Sequence, residues 1–123
     1  MSSFRKLLIV DDEQDVCDFV KSFFAERNFQ VFTALNAEEA LTIAKSEKPE
    51  IVLLDIKMKG MDGVAVLKHM KDIDRNLKVI MVTALEDQDT IYEAYRLGAC
   101  DYITKPLVLD HLVQSIEKNL KAV

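Results

Sequence analysis

Apolar runs stop abruptly along this chain. Leu7-Leu8-Ile9-Val10, Ile51-Val52-Leu53-Leu54 and Val79-Ile80-Met81-Val82 are each closed by a polar residue, and each is followed further on by a segment with helical spacing of its apolar positions. Short β-branched runs that alternate with helical periodicity predict repeated βα units and a parallel sheet. Five units can be read, with strands at Lys6–Val10, Gln30–Ala34, Ile51–Leu54, Lys78–Val82 and Asp101–Ile103. The first, third and fourth are almost wholly apolar, as strands covered by helices on both faces should be. Gln30-Val31-Phe32-Thr33-Ala34 is mixed and belongs at an edge.

The segments between carry helix signals. Val16, Phe19, Val20 and Phe23 form one stripe of the first helix, opposite Asp15, Asp18, Lys21 and Ser22, and this spacing turns the apolar set toward a core. The second helix opens at Asn36 with Glu39 three residues on, an N-cap and its capping-box acid. Ala37, Ala40, Leu41 and Ala44 give it a small-residue packing face, and Pro49 prevents its continuation. The third runs from about Val64 to Ile73 with Leu67 and Met70 inward; the fourth spans about Asp89 to Leu97 and stops at Gly98, where a left-handed cap costs glycine little. Leu109, Leu112, Val113, Ile116 and Leu120 mark the last. The one long connection, Ile56 to Gly63, holds Gly60, Met61, Asp62 and Gly63 soon after Asp55, and specially shaped backbone beside a strand-end acid often serves function.

Five polar residues sit where the runs stop: Asp11 and Asp12, Asp55, Thr83 and Lys105. On parallel strands they meet at one edge of the sheet, the edge at which open α/β sheets bind ligands. Taken singly, each has an ordinary reading: an acidic pair favoured by a helix N-terminus, a strand-end threonine, a solvated lysine. Together, three like charges cost free energy unless a cation or protonation relieves them. Hard oxygen ligands suit Mg²⁺ better than zinc. A carboxylate can also act as a nucleophile and form an acyl phosphate, a reaction that needs positive charge on the transferring oxygens and in-line placement. Mg²⁺ and Lys105 would supply that charge, and the Thr83 hydroxyl can donate to a phosphoryl oxygen.

Composition narrows the class without adding chemistry. A chain of 123 residues with 50% hydrophobic content fits one domain spanning residues 1–123. Its net charge of -5 and pI near 5.0 argue against a nucleic-acid face. The first apolar run is too short for a signal peptide or membrane span, so a cytoplasmic protein is expected. Cys17 and Cys100 lack metal or redox spacing and read as free, partly buried thiols.

Val10-Asp11-Asp12-Glu13, Leu54-Asp55 with Met61-Asp62-Gly63, Thr83-Ala84 and Lys105-Pro106 together resemble the signature of a response-regulator receiver domain of the chemotaxis-regulator type, over essentially the whole chain. The resemblance implies a doubly wound, flavodoxin-like (βα)5 fold with strand order 2-1-3-4-5. It implies Asp55 as phosphoacceptor and Asp12 as a direct Mg²⁺ ligand. Asp11 would be a ligand mainly through water, Lys57 one through its carbonyl, and Mn²⁺ would serve in place of Mg²⁺. Thr83 and Lys105 would bind the phosphoryl group, with Lys105-Pro106 cis, and Tyr102 would be the switch aromatic that turns inward when Thr83 moves. The implied function is a phosphorylation-dependent switch of a two-component system, monomeric or dimerising on phosphorylation. It would be charged by a sensor histidine kinase or phosphotransfer protein and would signal to a downstream output protein. The output surface would be the fourth helix, fifth strand and fifth helix near Tyr95, Tyr102, His111, Gln114 and Lys118. Such a domain catalyses its own modification without being a turnover enzyme, and touches neither nucleic acid nor membrane itself.

This chain departs from the family pattern at Lys59, four residues after the phosphoacceptor, where proline is usual. Lys57 and Leu85 flank the expected pocket mouth, where the family tunes phosphate lifetime. A Mg²⁺-dependent aspartyl phosphohydrolase of the haloacid-dehalogenase type is the rival enzyme reading, but it wants a carboxylate where Lys57 stands. A flavodoxin-like flavin carrier is the rival binding reading, but a flavin phosphate would face Asp11-Asp12-Glu13.

Overall fold

The computed structural model describes residues 5–84 and 88–121. Strands and helices alternate: β1 (Arg5–Val10), α1 (Gln14–Ala25), β2 (Phe29–Ala34), α2 (Ala37–Glu47), β3 (Ile51–Asp55), α3 (Gly63–Ile73), β4 (Lys78–Thr83), α4 (Gln88–Arg96), β5 (Asp101–Thr104) and α5 (Leu109–Lys121). The sheet order is β2-β1-β3-β4-β5, with every neighbouring pair parallel. This is the expected doubly wound, flavodoxin-like order, and the mixed strand β2 lies at an edge.

Alternation along the strands builds a core on each face of the sheet, because successive side chains point to opposite sides. Leu8, Val10, Val52, Leu54, Val79 and Met81 pack with Ala40 of α2, Leu67 and Met70 of α3 and Ala94 of α4. Leu7, Ile9, Ile51, Leu53, Ile80, Val82 and Ile103 pack with Cys17, Val20 and Phe24 of α1 and Leu112 and Ile116 of α5. Most of these side chains have no exposed surface, so the strand ends are held by a close-packed scaffold.

The first helix corrects the expected stripe. Cys17, Val20 and Phe24 are its buried residues, whereas Phe19 is 44% exposed and Val16 and Phe23 are half-buried. The seam at spacing three and four is turned by about one position, with Cys17 and Phe24 packed in the core on this face of the sheet and Phe24 edge-on to Phe29. In α2 the expected cap is present: Asn36 Oδ1 accepts from the Glu39 amide at 2.9 Å, and Glu39 Oε1 accepts from the Leu35 amide. Gly98 ends the α4 segment at φ 108°.

The long connection after β3 is a small antiparallel hairpin, Lys57–Met58 against Met61–Asp62. Its base is closed by Gly63, whose amide donates to the Ile56 carbonyl at 3.0 Å. A Cβ at Gly63 would lie 2.5 Å from Ile56 Cα, so only glycine permits this approach. Asp62 caps α3 by accepting from the Val64 amide.

Candidate functional site

Each chemistry-bearing residue leaves the scaffold at the carboxyl end of a strand. Asp11 follows β1 and is 1% exposed; its amide donates to the Ala34 carbonyl, and its Oδ1 accepts from the Glu13 amide at 2.9 Å. Asp12 is the next residue and is exposed. Asp55 and Thr83 are the last residues of β3 and β4, each 3% exposed. They lie within their strands rather than after them, which fixes their backbones in the ladder. Lys105 follows β5, donates its amide to the Thr83 carbonyl at 2.8 Å, and precedes Pro106 through a cis peptide bond.

These placements make one charge cluster. Lys105 Nζ lies 3.0 Å from Asp11 Oδ2, 3.0 Å from Asp55 Oδ2 and 3.4 Å from Glu13 Oε1. Asp55 Oδ1 accepts from the Lys57 amide at 3.0 Å, and Asp12 Oδ2 accepts from the Lys59 amide at 3.1 Å. Burial pushes the Asp55 carboxyl above its usual range, against the opposing pull of the Lys105 hydrogen bond. Burial would likewise lower the Lys105 ammonium, but the carboxylates of Asp11 and Asp55 beside it carry it above the ordinary lysine value. Cys17, whose thiol donates to the Asp11 carbonyl, is pushed up to about 11 by burial and by the Asp11 charge, so it stays a neutral thiol.

One carboxylate oxygen from each of Asp11, Asp12 and Asp55 lies within 4.8 Å of the others, the only such group of possible metal ligands among the described residues. Asp11 Oδ2 is buried and accepts no hydrogen bond of good geometry, having only the ionic contact with Lys105. An under-coordinated buried carboxylate oxygen beside two more carboxylates fits a hard divalent cation with open positions for water.

The family model described as Response regulator receiver domain matches residues 7–117. The chain belongs to the response regulator receiver family. Among relatives of this receiver domain, Sporulation initiation phosphotransferase F of Bacillus subtilis (strain 168) is 41% identical over 116 residues, covering 94% of each chain. Chemotaxis protein CheY of the same bacterium is 34% identical, covering 94% of this chain and 98% of that one. Regulatory protein AtoC of Escherichia coli (strain K12) is 37% identical over 98% of this chain, which spans only 26% of that protein. The crystal structure of a CheY-like receiver domain protein from Methanospirillum hungatei JF-1 superposes with a TM-score of 0.92 and 30% identity, over 96% of this chain and 94% of that one. A receiver domain is a switch of two-component signalling, and neither the phosphohydrolase nor the flavin reading is favoured by these similarities.

Lys57 is exposed at the start of the hairpin, and Leu85 lies outside the described residues. Tyr102 is 40% exposed and packs edge-on to Tyr95, with ring centroids 6.1 Å apart. His111, Gln114 and Lys118 are exposed on α5 beside it. Sequence reasoning missed two neighbours. Glu13 reaches Lys105, and its place beside the aspartate pair was the available signal. Phe19 lines a groove of about 550 Å³ with Val16, Ala84, Lys105, Pro106 and Leu107, a role hidden by assigning it to the core. No helix among the described residues is long and apolar enough to cross a membrane.

Proposed function

We propose that this receiver domain accepts a phosphoryl group on Asp55, with Asp11, Asp12, Asp55 and the Lys57 carbonyl holding Mg²⁺, or Mn²⁺ in its place. The supporting observation is that one ammonium, Lys105 Nζ, sits 3.0 Å from both Asp11 Oδ2 and Asp55 Oδ2 at the carboxyl edge of the sheet. A bound divalent cation supplies charge that neutralises the phosphoryl oxygens. Asp55 then forms an O–P bond as the N–P bond of a donor phosphohistidine breaks, with the imidazole nitrogen retaining the electron pair and taking a proton from water. Lys105 turns from Asp55 to the incoming phosphoryl oxygens while keeping Asp11. The Thr83 hydroxyl binds another of those oxygens.

The donor is a sensor histidine kinase or phosphotransfer protein. The apolar groove of Val16, Phe19, Pro106 and Leu107, opening beside Lys105, is a place for it to dock. Phosphorylation draws Thr83 inward and frees space for the Tyr102 ring, shifting a pre-existing equilibrium. The surface of α4, β5 and α5 carries this to a downstream output protein, with Tyr92 73% exposed and Tyr95 and Tyr102 half-exposed there. Residues 1–123 act as a single cytoplasmic domain, monomeric or dimerising on phosphorylation, that modifies itself without turning over a substrate.

Incubation with acetyl phosphate and Mg²⁺ should add one phosphoryl group, seen by intact-mass spectrometry, and EDTA or Asp55→Asn should abolish it. Full labelling of the Asp55→Asn protein, or labelling indifferent to EDTA, would overturn the assignment.

A further inference from the structure

Asp12 differs from its two partners in having little to hold it. Asp11 and Asp55 are 1% and 3% exposed, whereas Asp12 is an exposed residue on a loop. A solvated carboxylate samples several rotamers, and fixing it on a ligand costs conformational entropy. The hydrogen bond that restrains it comes from 47 residues away, the Lys59 amide donating to Asp12 Oδ2 at 3.1 Å. The same hairpin donates a second amide two residues earlier, from Lys57 to Asp55 Oδ1 at 3.0 Å. The hairpin thus holds one carboxylate oxygen of each residue. An ionised carboxylate has two oxygens and about four lone-pair sites, so each retains capacity for a cation.

We propose that the Lys59 backbone amide is a positioning group for Asp12, preorganising its carboxylate for the cation and tying the hairpin to metal loading. The inference rests on reading Asp11, Asp12 and Asp55 as the cation site. It also belongs to this chain in particular, since proline, usual at this position in the resembling family, has no amide hydrogen to give. The turn geometry makes the group separable from the fold. Lys59-Gly60 is the two-residue loop between the paired Met58 and Met61, with Gly60 at φ 68° and Lys59 not among the positive-φ residues. That is the pattern of a type II turn, whose first loop position favours proline. Lys59→Pro therefore removes the donor while suiting the turn, and Lys59→Ala removes only the side-chain charge.

The test is Mg²⁺ affinity of the full chain by isothermal titration calorimetry, with no phosphodonor present. Lys59→Ala should stay within about twofold of wild type, and Lys59→Pro should bind about three- to tenfold more weakly, the range expected for freeing one rotamer-rich side chain. Hydrogen exchange of the Lys59 amide in the metal-free protein gives a second readout that does not use the proline variant. It should be slowed in wild type and at least about tenfold faster in Asp12→Ala, as a lost hydrogen bond requires. Unchanged exchange in Asp12→Ala would show that the contact does not form in solution and would overturn the proposal. Wild-type affinity in Lys59→Pro, or tighter binding, would overturn the positioning role while leaving the cation site intact. A wild-type protein that does not bind Mg²⁺ would overturn the cation site and the positioning role together.

Discussion

At the amino ends of the strands, Arg5 meets Glu50 at 3.7 Å and Lys6 meets Glu47 at 3.6 Å, one cation to one anion, with side chains between 37% and 50% exposed. At the carboxyl ends, among the described residues, Lys105 alone faces Asp11, Asp55 and Glu13, and the first two side chains are at most 5% exposed. The same sheet supports both ends, so the scaffold does not set the difference. Solvated pairs of the first kind contribute about 0–1 kcal/mol. The second arrangement concentrates negative charge that one lysine cannot balance, in a place where water screens it poorly. Uncompensated negative charge on a rigid strand end is what a divalent cation can act upon, which is the physical ground for proposing the chemistry at this end.

The largest break in this contrast should come from Lys105→Ala. It leaves Asp11 and Asp55 buried without a counter-charge, which costs about 3–5 kcal/mol when one partner of a buried pair is removed. Urea unfolding of the metal-free protein at pH 7 should show that loss, and added Mg²⁺ should recover part of it by binding the native state. A loss under about 1 kcal/mol would put Lys105 in the same class as the surface pairs and erase the distinction between the ends.

Two strand carboxylates should then respond to pH with opposite signs. Asp101, at the start of β5, is raised by burial, but the Ser115 hydroxyl at 2.6 Å, the Tyr102 amide and Lys118 outweigh that and lower its pKa. A lowered acid contributes stability above its unfolded value that is lost as pH falls through its folded value. Asp101→Asn should therefore cost about 1–2 kcal/mol at pH 7 and little in acid. Asp55 is raised, chiefly by burial, so its penalty is absent in acid and sets in as pH rises through the raised value. Metal-free Asp55→Asn should melt above wild type at pH 7, with Lys105 still paired to Asp11, and the gain should vanish as pH falls. Difference curves of the same sign from thermal melts across this range would contradict the assigned environments.

Much of this contrast could be read from sequence because it follows from period-two and period-three-to-four patterns. Apolar runs ending in Asp11, Asp55 and Thr83 place those residues at strand ends once the runs are strands, and parallel order brings the ends together. Patterns of polarity were less able to orient α1, since Val16, Cys17, Phe19, Val20, Phe23 and Phe24 leave two overlapping stripes, and only packing against Phe29 and the sheet selects Cys17, Val20 and Phe24. The hairpin between β3 and α3 was legible only as a glycine-containing connection. Its bond from the Lys59 amide to Asp12 involves a backbone group, which leaves no mark in side-chain chemistry beyond the lack of proline.

The smallest effect should be at the opposite end, with Glu50→Ala. Its backbone is part of the sheet margin, the amide donating to the Lys6 carbonyl at 2.9 Å and the carbonyl accepting from the Lys78 amide at 3.3 Å. Alanine keeps both bonds, so the substitution removes only the carboxylate facing Arg5 at 3.7 Å, where both side chains are about half exposed. Urea unfolding at low salt should show a loss within about 0.5 kcal/mol, because the pair gains little Coulomb energy in high dielectric and orders two long side chains. Repeating the measurement at about 1 M NaCl, where the Debye length is about 3 Å, should remove even that. A loss above about 1.5 kcal/mol that persists in salt would mean that the amino end also depends on unscreened charge. The contrast would then lie in how many carboxylates share one cation and no longer in how deeply they are buried.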